Sequence, residues 1–93
     1  MTEQQRLNIL KHSLQRQFTD VNDEYLLHLL NAGKAAIKRE GITDDGTADY
    51  EYCVIDYAAH LFRKRAGKDT AMPRHLRWQL NNILMSQKGR ASG

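Results

Sequence analysis

The sequence predicts an all-α fold, a small bundle of about four helices around a central third helix. Three observations carry that reading. Apolar residues recur at spacings of three and four in separate stretches, the signature of one-sided helices. Capping and turn residues punctuate those stretches. The run from Asp49 to Ala66, DYEYCVIDYAAHLFRKRA, is also apolar over too wide an arc for one partner to cover. On a helix, its Tyr50, Val54, Ile55, Tyr57, Ala58, Ala59, Leu61 and Phe62 span roughly 200°, twice what a helix at the edge of a bundle needs. The remaining polar side holds Asp56, His60, Arg63 and Lys64.

The first helix is expected over Met1 to Phe18. Thr2 and Gln5 form a capping box, and Leu7, Leu10, Leu14 and Phe18 make its stripe, with Ile9 to one side. Thr19 to Asn22 is turn chemistry. A second helix, about Asp23 to Glu40, has Asn22 as N-cap and acidic residues where the helix dipole favours them. Its apolar face is Leu26, Leu29, Leu30, Gly33 and Ile37. A mid-helix glycine costs about 1 kcal/mol against alanine, so Gly33 predicts close approach of another backbone, that of the central helix. Gly41 follows as the C′ residue. Ile42 to Ala48 is a loop built from Asp44, Asp45 and Gly46, and Thr47 or Asp49 caps the central helix. Gly67 ends that helix. After a linker of residues 68–72, Pro73 opens a fourth helix through about Ser86, striped by Leu76, Leu80, Ile83 and Leu84. Trp78 lies off that stripe, as a partner contact or as the lid of a neighbouring helix. The expected organisation is one helical domain over residues 1–86 and a disordered tail over 87–93, QKGRASG.

Composition narrows the function classes. Ninety-three residues make one domain with a thin core, which partners or self-association would reinforce. A single cysteine, Cys53, forms no internal disulfide and suits a reducing compartment. The chain has no apolar run long enough to span a membrane and no signal-peptide core, so a cytoplasm, or a particle assembled there, is expected. Charge is unevenly spread. Residues 1–49 carry six Lys/Arg and eight Asp/Glu, a balance of −2. Residues 50–93 carry eight and three, a balance of +5. The basic half could face an acidic protein or a nucleic acid, and it equally fits a solvated mixed-charge surface.

No catalytic or cofactor pattern stands out. His12, His28, His60 and His75 are on four separate elements, and none forms an H-x-x-x-H pair. Cys53, Asp56 and His60 share a helix face, but a core-edge cysteine beside two solvated residues explains them better than a ligand or nucleophile set. The loop ITDDGTA is too short for an EF-hand. No metal, no cofactor and no enzymatic activity is expected. Arg63, Lys64, Arg65 and Lys68, with Arg74 and Arg77, bracket the linker before Pro73. With His75 they suggest an alternative, a small helix-turn-helix-like DNA-binding regulator, although that motif wants a turn of about 3–4 residues. An accessory interaction domain of a prophage or host is a third class.

The order of motifs resembles the small helical head–tail connectors of long-tailed bacteriophages, also described as head-completion or DNA-packaging adaptors. The likeness lies in a short first helix, then TDVNDEYLLHLLNAGKAAIKREGI, then VIDYAAHLFRKRAG with its basic end, then MPRHLRWQLNNI. It covers about residues 7–85 and rests on caps and stripes. The loop before the fourth helix is shorter than in many relatives, and an aromatic-rich tract found in some after the second helix is missing. The resemblance implies a virion protein at the head–tail junction. Such a protein forms a ring under the portal and links the DNA-filled head to the tail. Its partners would be other copies of itself, the portal protein and a downstream head-completion or tail protein, with non-specific DNA contact in the channel. Candidate contacts are Asp44 and Asp45 on one face, Arg63, Lys64, Arg65 and Lys68 on an opposing one, and Arg74, Arg77 and Trp78.

Overall fold

Four helices form, each where local chemistry starts and stops it. The structure, a computed structural model, describes residues 1–16, 18, 21–67 and 71–92. The helices are α1 (Glu3–Leu14), α2 (Asp23–Arg39), α3 (Ala48–Arg65) and α4 (Arg74–Ser92), with no strand among the described residues. The fold is all-α, as the periodicity predicts. Thr2 caps α1 through a complete capping box, Asn22 caps α2, and Thr47 caps α3 through its side chain and the Tyr50 N–H. Gly41 closes α2 at φ +95°, a conformation a side chain would strain.

α3 is the centre of the bundle and packs against all three other helices. All five residues of the predicted α2 face are buried, and so are Leu7, Leu10 and Leu14 of α1. The backbones of α2 and α3 meet at Gly33. A Cβ there would stand 3.4 Å from the Val54 carbonyl oxygen and 3.6 Å from the Ala58 nitrogen. Phe18 is half-buried, with its ring edge-on to Phe62 at 4.8 Å. α4 runs antiparallel to α3 and buries Leu76, Leu80 and Ile83 against it. No helix among the described residues is long and apolar enough to cross a membrane.

Four expectations need correction. α1 ends at Leu14 rather than Phe18, because the chain turns there and Phe18 is used against Phe62. Pro73 is the N-cap of α4 rather than its first helical residue, its carbonyl accepting the Arg77 N–H at 3.1 Å. The polar side of α3 is narrower than predicted. His60 is buried at 5% exposure, leaving Asp56, Arg63 and Lys64 open with Tyr52 beside them, while Glu51 is buried opposite Arg6. Finally, α4 continues to Ser92, where a disordered tail from Gln87 was expected. Gln87 is the reason. Its amide accepts the Thr43 N–H at 2.9 Å and donates to the Thr43 carbonyl at 2.7 Å, so the first residue of the expected tail anchors the α2–α3 loop.

Candidate functional site

The exposed features gather at the two ends of α3. At its start, the loop is braced from within. Asp44 accepts the Gly46 N–H at 3.0 Å, and Asp45 accepts both the Thr47 N–H at 3.0 Å and the Thr47 hydroxyl at 2.6 Å. Asp45 also accepts from Gln87 at 3.2 Å. Both aspartates were expected to serve a partner, yet Asp45 is half-buried and holds the loop and the α3 cap together. Asp44 is exposed.

A groove of about 250 Å3 opens beside this loop, between the first turns of α3 and the middle of α4. Tyr52 and Trp78 line it at 48% and 64% exposure, with Ile83 below and Asp45 and Asp49 at the rim. Gln79 is also part of its wall and donates to Asp56 at 3.0 Å. Further along α4, Met85 is 71% exposed. Trp78 is therefore not the lid of another helix. Tyr52 and Met85 escaped the sequence reading, and Asp49 was read only as an alternative to Thr47 as the cap of α3. The signal that singled out Trp78, a large apolar residue off its helix's stripe, also marks Tyr52 and Met85.

At the other end of α3, Lys64 and Arg65 are exposed and Arg63 is half-buried. The Arg65 guanidinium lies over the Tyr25 ring, 5.9 Å from its centre. Lys68 lies outside the described residues. Arg74 is exposed at the start of α4, and Arg77 pairs with Glu40 at 3.4 Å. The His75 imidazole sits 3.8 Å from Asp56. Of Arg74, His75 and Arg77, the side chains a helix-turn-helix would turn toward bases, two thus lie against carboxylates, and eight residues separate α3 from α4.

Two buried polar features also bear on function. Arg6 and Glu51 form an ion pair at 2.6 Å, their side chains only 9% and 8% exposed, with Arg6 also donating to the Met1 carbonyl at 3.1 Å. Cys53 is fully buried, and its thiol is pushed up to about 12, first by burial and then by the charge of Asp56. A thiol held protonated this firmly is a packing residue rather than a nucleophile. Burial, followed by the charge of Asp44, likewise raises the Tyr50 phenol. Among the described residues, no group of three or more His, Cys, Asp and Glu is placed to hold a metal ion.

Against family profiles, curated proteins and solved structures, the chain finds no match.

Proposed function

We propose that the protein is a structural assembly subunit, a head–tail connector of a long-tailed bacteriophage that forms a ring under the portal and joins the DNA-filled head to the tail. It works by surface contact and performs no catalysis. The observation that carries this reading is the finish of α4. One side of the helix is sunk in α3, while the other side presents Trp78 and Met85 to water next to Tyr52. Large exposed aromatic and methionine side chains on one face mark a surface that a neighbour covers. The two ends of α3 differ in charge, which suits a contact repeated head to tail around an axis. Within that ring, the portal protein and a downstream head-completion or tail protein would meet its opposite rims, and DNA in the channel would be held weakly and without sequence preference.

The test is native mass spectrometry of the concentrated protein, backed by negative-stain images and a duplex-DNA titration. Closed rings of one size and weak, salt-dependent DNA binding are the expected result. A monomer that binds one duplex sequence orders of magnitude more tightly than random sequence would replace this reading with the regulator.

A further inference from the structure

The groove beside Trp78 has a composition that selects its occupant. Two exposed aromatic rings face it, two carboxylates stand on its rim, and no lysine or arginine lines it. Aromatic faces attract cations, and a carboxylate pairs with a guanidinium or ammonium group. Among the described residues, Asp49 has no ion-pair partner. At about 250 Å3 the groove has room for long side chains but not for a helix.

The chain carries matching cations on the same helix. Arg63 and Lys64 have no ion-pair partner among the described residues, and Lys64 is exposed. Asp49 and Lys64 are nevertheless separated by about 22 Å along the axis of α3, taking about 1.5 Å per residue. No side chain spans that distance, so a molecule cannot fill its own groove.

We propose that the Tyr52–Trp78 groove receives the basic end of α3, Lys64 with Arg63, from a second copy of this chain. The inference rests on the assembly-subunit reading and names the contact that reading requires. Giving and receiving surfaces differ, so the contact is heterologous. Each added copy leaves one groove and one basic end open until the series closes on itself.

Two half-defective variants test it. Trp78→Ala with Asp49→Asn removes the aromatic face and the rim charge and keeps the basic end. Arg63→Glu with Lys64→Glu does the reverse. All these side chains are on the surface or half-buried, and helicity by circular dichroism checks that each chain folds; Trp78→Ala alone replaces the first double variant if it does not. In sedimentation velocity the unaltered protein should assemble. Each variant alone should associate roughly 30-fold more weakly, the first for loss of an aromatic anchor and the second for reversal of the charge that the groove receives. Mixed, the two should form a one-to-one dimer and nothing larger, because only one complementary pair of surfaces survives. If the unaltered protein assembles and the mixed variants stay monomeric, or if the groove variant assembles normally, the inference falls while the assembly reading stands. If the unaltered protein is monomeric up to millimolar concentration, both fall. Open filaments joined through the groove would uphold the inference and remove the ring.

Discussion

The three-helix body and the fourth helix are built to different standards. Within α1, α2 and α3, the apolar stripes are consumed. Leu10, Leu14, Leu26, Ile37, Cys53, Val54 and Ala58 are all fully buried. Even the two charged residues that enter this body, Arg6 and Glu51, meet each other there. α4 commits Leu76, Leu80 and Ile83 to α3 and leaves Trp78 and Met85 in water. Burial saturates in the body, whereas the outer side of α4 still has apolar surface to lose. The difference separates residues that hold the monomer together from residues available to a neighbour.

That contrast can be broken or sharpened by substitution. The largest effect is expected in the body. Glu51→Ala strands a buried guanidinium and should cost about 3–5 kcal/mol of unfolding free energy in urea titrations. Arg6→Met combined with Glu51→Leu should recover much of that loss, and failure to recover would mean the pair does more than balance its own charge. Leu80→Ala should cost about 2–4 kcal/mol and act mainly on α4. Hydrogen exchange should show α4 amides losing protection while those of α2 and α3 keep theirs, and uniform loss would erase the distinction between body and fourth helix.

A smaller effect concerns pH. The Cys53 thiol keeps its proton up to about 12 in the folded chain, against an ordinary value of 9.0. Between those values the unfolded chain releases a proton that the native chain retains. The stabilisation is therefore complete below pH 9 and is lost as pH rises toward 12. The urea midpoint should fall as pH rises from about 9 to 11, and the fall should be shallower in Cys53→Ala, with Tyr50 adding the same sign at higher pH. The smallest effect on stability is expected from the largest side chain. Trp78→Ala should change the unfolding free energy of the monomer by no more than about 0.5 kcal/mol. A loss above about 2 kcal/mol would make Trp78 a core residue and close the comparison.

Much of this architecture was legible because its causes are local. Thr2 with Gln5, Asn22 and Thr47 reveal helix starts within four residues of themselves, and the α2 stripe needs only its own spacing. Gly33 was legible for a different reason, since an unfavourable residue in mid-helix asks for a compensating contact. What escaped depends on residues far apart in the chain. A helical projection puts Glu51 within the apolar arc, where a lone carboxylate would not be buried, and only Arg6, 45 positions earlier, makes it a core residue. His60 looks polar by type and is buried by position. Gln87 lies in a stretch whose composition reads as disordered, but Thr43, 44 positions away, supplies its partner. The groove has the same character, because Tyr52 and Trp78 become neighbours only once α4 folds back along α3.

The Gln87 amide pairs with both main-chain groups of Thr43, as one peptide group pairs with another in a ladder. Beyond it, Lys88 and Gly89 are exposed. Mechanically, the helix is a cantilever, and Gln87 is one of the fastenings that tie its outer half to the α2–α3 loop. Tension applied at its free end reaches Gln87 before it reaches Leu80, and it peels the hydrogen bonds to Thr43 and Asp45 instead of shearing a packed interface. In single-molecule pulling from the C-terminus, a low-force step that releases the Thr43 loop should precede unfolding of the body, and Gln87→Ala should lower the force of that step. The fastening would then act as a fuse, yielding under load while the core stays closed.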